Sequence, residues 1–180
     1  MTPPVITVFG SSRPLPGEPE YQSAYDLGTI LANAGFEICN GGYRGTMEAS
    51  ARGAKAGNGR TIGVVAEFFS TDANAYIDRK IVEKSLADRL MRLINLGDGY
   101  VVLKGSTGTL LELATVWEFM NKHVMREKPI ILMGNFWQSV VDTLGSELRH
   151  EGLDEVVRLV TFVNSLGECV EVLRKRLKRA

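Results

Sequence analysis

The chain has 180 residues, of which 44% are hydrophobic, and its 21 lysine and arginine residues balance its 21 aspartate and glutamate residues. This length suits one domain, which we expect to span residues 1–180, and the lack of net charge argues against nucleic acid as a partner. No apolar run is long enough to cross a bilayer, the first residues do not show the pattern of a secretory leader, and the two cysteines are isolated. We therefore expect a cytoplasmic protein without a membrane partner.

Short apolar runs alternate with amphipathic helical patterns from the start of the chain. Val5–Phe9 predicts a first strand, and an apolar stripe over residues 21–34, closed by Gly35, predicts the first helix. The elements predicted next are a strand over 36–39, a helix over Thr46–Ala56, a strand over 60–65, a polar mobile loop over 69–78 and a helix over Leu86–Leu96.

The second half of the chain continues this alternation. We predict strands over residues 100–103, 128–133 and 159–163, and helices over residues 109–121, 136–149 and 165–177. Such alternation is typical of an α/β fold, a doubly wound parallel sheet with helices on both faces. In these sheets ligands bind beyond the carboxyl ends of the strands.

The predicted helix over residues 109–121 is apolar over more than one face. One face can pack on the sheet, and the other requires a second cover. A homodimer would supply that cover, and so would other elements of the same domain. We expect the homodimer.

Three turns rich in small residues follow predicted strands. They are Gly10-Ser11-Ser12, the turn over 40–45 that contains Gly41, Gly42 and Gly45, and the turn over 104–109. Because the carboxyl ends of parallel strands meet at one edge of a sheet, we expect these turns to form one nucleotide-sized site. Ser11 and Ser12 either bond the ribose or phosphate or close the first turn.

The third turn has the features of a phosphate site. It lies between a buried strand and a helix start, where free backbone N–H groups and the helix dipole favour an anion. The N–H groups concerned belong to Gly105, Ser106, Thr107, Gly108 and Thr109. Glu112 is predicted on the first helical turn, where it serves either acid–base chemistry on the sugar or only the helix dipole.

The second and third turns together carry a family resemblance. Asn40-Gly41-Gly42-x-x-Gly45-x-Met47-Glu48 and Gly105-x-x-Gly108-Thr109-x-x-Glu112 resemble the paired motifs G-G-G-x-x-G-x-M and P-G-G-x-G-T-x-x-E. These motifs belong to the Lonely Guy family, phosphoribohydrolases long labelled as lysine decarboxylases. The phosphate-loop motif of triphosphatases, G-x-x-x-x-G-K-[ST], is not found.

The resemblance implies a modified Rossmann-like fold, a homodimer and hydrolysis of a purine nucleoside 5′-monophosphate, cytokinin-like or AMP-like, to free base and ribose 5-phosphate. It places the catalytic glutamate on Glu112 and the catalytic arginine on Arg89. No cofactor is implied, and the sequence shows no cluster with metal-ligand spacing.

Four residues depart from the family pattern and leave alternatives open. Asn40 replaces a glycine, Lys104 the proline, Ser106 a glycine and Leu90 a lysine. They leave the identity of the base open and keep two other functions in play. One is a non-catalytic carrier, because proteins related to this family carry the molybdenum cofactor, and the other is a nucleotide-sensing module. A carrier has no evident need for the pair of Arg89 and Glu112.

Overall fold

The computed structural model describes residues 2–178 and contains one parallel sheet of seven strands with helices on both of its faces. The strands are β1 (Val5–Phe9), β2 (Glu37–Asn40), β3 (Thr61–Ala66), β4 (Arg79–Glu83), β5 (Gly99–Val102), β6 (Ile130–Met133) and β7 (Val160–Val163). The helices are α1 (Pro19–Asn33), α2 (Thr46–Ala56), α3 (Leu86–Leu96), α4 (Thr107–Asn121), α5 (Gln138–His150), α6 (Asp154–Val157) and α7 (Leu166–Leu177). The predicted α/β fold class is confirmed.

The strand order explains where a ligand can bind. The strands run β4-β3-β2-β1-β5-β6-β7 across the sheet, and every adjacent pair is parallel. The chain winds outward from β1 in one direction and from β5 in the other, so the order reverses between these two central strands. The turns that follow β1 and β5 diverge there and open a crevice at the carboxyl edge.

Each face of the sheet carries its own hydrophobic core. Alternate residues of the central strands point to opposite faces, so Val8 packs under α1, α2 and α7, whereas its neighbour Phe9 packs under α3 to α6. Phe9 stacks on the fully buried Tyr100 of β5, with ring centroids 5.7 Å apart. Burial on both faces explains why the central strands are near-continuous apolar runs.

Two elements were not predicted from the sequence. Strand β4 pairs with β3 from Ile62–Arg79 to Ala66–Glu83 but lies at the edge of the sheet, where three of its five residues are charged and it is mostly exposed. Its polar composition lacks the apolar signal of a buried strand, so the sequence showed only a loop followed by a helix. Helix α6 has four residues, too few for a helical period.

The start of α4 corrects one prediction. The helix begins at Thr107 rather than Thr109, with Ser106 as its N-cap. Glu112 therefore lies on the second turn and not on the first, and the first turn carries no acidic residue. The dipole explanation of Glu112 loses its basis, because the effect of a helix terminus falls off within the first turn.

The second face of α4 is partly covered within the chain. Trp117 and Met120 lie in the core, and Trp117 Nε1 donates a 2.8 Å hydrogen bond to the carbonyl of Val156 in α6. Leu111 nevertheless remains 48% exposed, and Leu86 on the adjacent helix α3 is 45% exposed. We propose that these two helices form the interface of a homodimer. None of the helices described is long and apolar enough to cross a bilayer.

The dimer is tested by placing a charge on this face. Leu111→Asp should convert a dimer to a monomer in sedimentation at micromolar concentration, because a carboxylate in an apolar interface is desolvated without a partner. Leu144→Asp on α5 is the matched control, since Leu144 is 45% exposed on a different helix and should leave the dimer intact. A monomeric wild type, or equal effects of the two variants, would contradict the proposal.

Candidate functional site

A cleft of about 1190 Å³ opens at the carboxyl edge of the sheet. Its volume suits a ligand of nucleotide size or somewhat larger. It is lined by residues that follow four strands: Gly10, Ser11, Ser12 and Arg13 after β1; Tyr43, Arg44, Met47 and Glu48 after β2; Phe69, Ser70, Asp72, Ala73, Asn74, Ala75 and Tyr76 after β3; Ser106, Gly108, Thr109 and Glu112 after β5; with Leu86 and Arg89 from α3. The three predicted turns therefore meet in one cleft.

The polar end of the cleft contains the uncapped start of α4. Ser106 is the N-cap but its side chain makes no capping hydrogen bond, and the first helical bond runs from Leu110 N to Ser106 O at 2.9 Å. The N–H groups of residues 107–109 consequently have no acceptor within residues 2–178. Unpaired N–H groups at the positive end of a helix dipole form an anion site.

The other helix start in the cleft is less suited to an anion. Helix α2 carries Glu48 on its first turn, and Thr46 N donates to Ser11 O at 2.9 Å. A carboxylate at that terminus already complements the dipole and repels a second negative charge. A phosphate is therefore better accommodated at α4 than at α2.

The second turn places the start of α2 against the first turn, Gly10-Ser11-Ser12. Gly45 has a φ of 71° and is the N-cap of α2, and a Cβ at this position would collide with the backbone of Ser11 and Ser12. Asn40 is fully buried beneath the turn. Its Nδ2 donates to Met47 O at 2.9 Å, and its Oδ1 accepts from Gly42 N at 2.8 Å. Asn40 stands where the family pattern has a glycine, and its side-chain hydrogen bonds connect the second turn to the start of α2.

Arg89 lies at the base of the cleft and is only 8% exposed. Its Nε donates to Val64 O at 2.7 Å, and its Nη2 donates to Gly41 O at 3.0 Å. Its Cζ lies 5.3 Å from the centre of the Tyr43 ring. A Cβ at Gly41 would overlap Nη2, so only glycine leaves room for the guanidinium.

The hydrogen bonds of Arg89 leave one nitrogen facing the cleft. Every buried side-chain nitrogen and oxygen of the described residues has a partner, yet Nη1 has none within the described chain, so it is accessible from the cleft. Val64 O and Gly41 O are neutral acceptors, and the charge of Arg89 is not cancelled by a direct ion pair. Burial lowers the pKa of Arg89, and the nearby Glu112 charge opposes that change.

Glu112 is a carboxylate that lines the same cleft, near enough to Arg89 for the two charges to interact. Burial raises the pKa of Glu112 to about 7, although the Arg89 charge acts to lower it. Within residues 2–178 the Glu112 carboxylate accepts no side-chain or backbone hydrogen bond and forms no ion pair within 4.0 Å. A carboxylate with a pKa near neutrality and an arginine beside it is suited to proton transfer at physiological pH.

Of the three other residues that depart from the family pattern, only one lines the cleft. Lys104 does not line the cleft; its Nζ pairs with Glu20 at 2.9 Å and lies 5.8 Å from the Phe136 ring centre. Leu90 packs against the core beneath α3 and also lies outside the cleft. Only Ser106 lines it, so the phosphate loop gains a hydroxyl there and no cation. Gly105 and Thr107 adjoin the lining residues without being part of it.

The segment between β3 and β4, residues 67–78, forms one wall of the cleft and is called the crossover segment below. Asn74 Nδ2 donates to Tyr43 O at 2.9 Å, and Asn74 N donates to Gly42 O at 2.8 Å. Tyr43 Oη donates to Ser70 O at 2.9 Å. These bonds attach the segment to the second turn. From the sequence this segment is predicted only as a mobile loop over residues 69–78, and the aromatic pair Phe68-Phe69 is the one signal of a binding wall.

Glu48 and Tyr43 are two further lining residues that the sequence analysis had not selected. Tyr43 lies between the glycines of the second turn, and Glu48 ends the motif that contains them; that position was the only signal for either residue. No group of three His, Cys, Asp or Glu side chains that could hold a metal ion occurs in the described part of the chain.

Comparison with known proteins matches residues 3–159 to the model of the SLOG cluster4 family. A cytokinin riboside 5'-monophosphate phosphoribohydrolase of Rhodococcoides fascians is 29% identical over 140 residues, 74% of this chain and 69% of that protein. Its counterpart in Mycobacterium tuberculosis is 28% identical over 133 residues, 71% of this chain and 69% of that protein. The molybdenum cofactor binding protein of Rippkaea orientalis superposes with a TM-score of 0.75 at 27% identity, covering 97% of this chain and 98% of that one.

The anion site at α4 is tested by a change of charge alone. Thr107→Asp places a carboxylate beside the free N–H groups and should weaken binding of inorganic phosphate at least about tenfold in calorimetry. Thr107→Asn has nearly the same shape without the charge and should stay within about twofold of wild type. Unchanged affinity in Thr107→Asp would place the anion elsewhere.

The raised pKa of Glu112 predicts a cost to stability at high pH. Between the usual glutamate pKa and about 7, the folded protein keeps a proton that the unfolded chain has lost, so stability falls as pH rises through this window. Glu112→Gln cannot lose that proton. The melting temperature of Glu112→Gln minus that of wild type should therefore increase from pH 5 to pH 8. A difference that stays constant over this range would contradict a raised pKa for Glu112.

Proposed function

The chain belongs to the SLOG cluster4 family, and from this premise we propose that it is a phosphoribohydrolase of the Lonely Guy type. The proposed reaction is hydrolysis of the N-glycosidic bond of a purine nucleoside 5′-monophosphate, AMP-like or cytokinin-like, to free base and ribose 5-phosphate. The single observation that carries the proposal is the pair of Arg89 and Glu112 in a nucleotide-sized cleft beside an uncapped helix start.

The position of Glu112 on α4 connects phosphate binding to the chemistry. Ser106, Thr109 and Glu112 lie on one helix and line the same cleft, so a phosphate at the helix start sets the distance from the sugar to the carboxylate. Positioning of this kind contributes on the order of several kcal/mol to catalysis. A nucleoside without phosphate would forfeit it, which supports a monophosphate as the substrate.

The proposed mechanism uses Glu112 as the general base. Water attacks the anomeric carbon, and its proton passes to the Glu112 carboxylate. The bond from that carbon to the base nitrogen breaks, and its electron pair leaves with the base, which then takes up a proton. Positive charge develops on the sugar in the transition state, and the nearby carboxylate stabilises it.

Arg89 has two tasks in this proposal. Its charge opposes the effect of burial on Glu112 and so keeps the carboxylate available near neutral pH. Nη1 faces the cleft and can donate to the substrate, whereas Nε and Nη2 are held by Val64 O and Gly41 O. Because the guanidinium is already held in place, little reorganisation is required when the substrate binds.

A second candidate function is a carrier that binds a phosphorylated pterin without turnover. The likeness to the molybdenum cofactor binding protein of Rippkaea orientalis favours it, since the two chains are similar over almost their full lengths. Binding alone would need the anion site but not a carboxylate with a raised pKa beside a buried arginine. For this reason we prefer the hydrolase.

The hydrolase is tested by base release from a panel of nucleoside 5′-monophosphates, followed by chromatography. Wild type should release a purine base, and Glu112→Gln should lower turnover about 10²–10⁴-fold, because the amide cannot accept the proton from water. Binding of the monophosphate, measured by calorimetry, should be largely retained.

Two results would count against the mechanism or the function. Full activity of Glu112→Gln would show that the glutamate is not the base. Tight binding without release of any base by wild type would favour the carrier. Glu147→Gln, a change of the same kind on the exposed surface of α5, is the control and should leave turnover unchanged.

A further inference from the structure

Glu48 is a second carboxylate in the cleft, and the proposed mechanism does not use it. It lies on the first turn of α2 and lines the cleft. Its Oε1 accepts a 2.9 Å hydrogen bond from the hydroxyl of Tyr21, which is only 3% exposed. One end of the carboxylate is therefore held from beneath by a buried phenol.

The other oxygen of Glu48 is available to a ligand. No donor within residues 2–178 bonds Oε2, and no buried side-chain oxygen of these residues lacks a partner, so Oε2 is open to the cleft. No ion pair within 4.0 Å joins Glu48 to a described cation. An acceptor held in one orientation with a free oxygen can accept a hydrogen bond from a ligand.

The position of Glu48 indicates which part of a nucleotide supplies that donor. The phosphate is excluded, because it is an anion and because α4 offers it free N–H groups. Met47, the neighbour of Glu48, lies 4.0 Å from Arg89 through its sulfur, and Gly45 packs on the Ser11-Ser12 turn. Glu48 therefore lines the cleft from the side of α2, a helix that begins against the first turn. Phe69 and Tyr76 of the crossover segment line the same cleft.

We propose that Glu48 accepts hydrogen bonds from the ribose hydroxyls and makes the cleft selective for ribonucleotides over 2′-deoxyribonucleotides. The inference rests on the proposed function for its substrate class. Ribose hydroxyls are donors, and the free Oε2 of Glu48 can accept their hydrogen bonds. A charged acceptor makes such hydrogen bonds stronger than a neutral acceptor does. Tyr21 is a positioning residue in this arrangement.

The test compares adenosine 5′-monophosphate with 2′-deoxyadenosine 5′-monophosphate. In wild type, kcat/KM for the ribonucleotide divided by that for the deoxyribonucleotide gives a selectivity. Glu48→Gln should lower this selectivity about 10-fold or more, because Tyr21 holds the amide oxygen and turns the NH₂ group toward the sugar. Tyr21→Phe should lower it by a smaller factor, since the carboxylate remains but is no longer held.

The same comparison made by binding keeps the inference separate from the proposed function. In a Glu112→Gln background, calorimetry with the two nucleotides should show the same loss of selectivity on Glu48→Gln, even if wild type hydrolyses neither. Absence of base release would then overturn the hydrolase only. Unchanged selectivity in Glu48→Gln would overturn the role of Glu48 whether or not base is released.

A third nucleotide tests whether Glu48 contacts the base instead of the ribose. Inosine 5′-monophosphate lacks the exocyclic amino group of adenosine 5′-monophosphate. If Glu48→Gln changes discrimination between these two and leaves ribose selectivity unaltered, Glu48 contacts the base and the inference is wrong. Glu147→Gln should alter neither ratio, and an effect there would contradict a contact specific to Glu48.

Discussion

The guanidinium of Arg89 is the interaction on which the arrangement of the cleft depends. Its bonds to Val64 O and Gly41 O join α3 to the end of β3 and to the turn after β2. These three elements approach one another because a cation fits between them, and glycine at position 41 leaves the space for it. Both acceptors are neutral backbone carbonyls, so these hydrogen bonds hold Arg89 in place without neutralising its positive charge. The protein thus buries an arginine whose field still acts on the cleft.

That field, together with burial, sets the properties of Glu112. In water a glutamate would be ionised at neutral pH and would be a weak base. Partial removal from water shifts its equilibrium toward the neutral form, and Arg89 limits the shift so that the pKa reaches about 7. The same two residues would cost stability if they served packing alone. A pair that opposes folding but suits proton transfer is characteristic of a functional site.

The central architecture was predictable from the sequence, and the edge strand β4 was not. The strands under both cores have nearly continuous apolar runs, and the turns after them are marked by glycine and serine. Strand β4, with Arg79 and Lys80 at its start, has no such signal because its outer edge faces solvent. Lys104 replaces the family's proline next to the phosphate loop, but its side chain pairs with Glu20, which lies 84 positions away in the sequence. Long-range ion pairs and hydrogen bonds such as that of Tyr21 with Glu48 leave no local pattern.

The crossover segment connects two adjacent parallel strands without a helix, and this has an evolutionary consequence. Connections of that kind usually contain a helix packed on the sheet, where insertions and deletions disturb the core. Here residues 67–78 form a wall of the cleft instead. Hydrogen bonds to Tyr43 and Gly42 hold the middle of the segment, and bonds of Tyr76 and Asp78 to Thr61 and Lys55 hold its end. Insertions, deletions or substitutions in residues 67–75 should therefore change which ligand the cleft accepts during evolution, while the sheet and the Arg89 anchor stay in place.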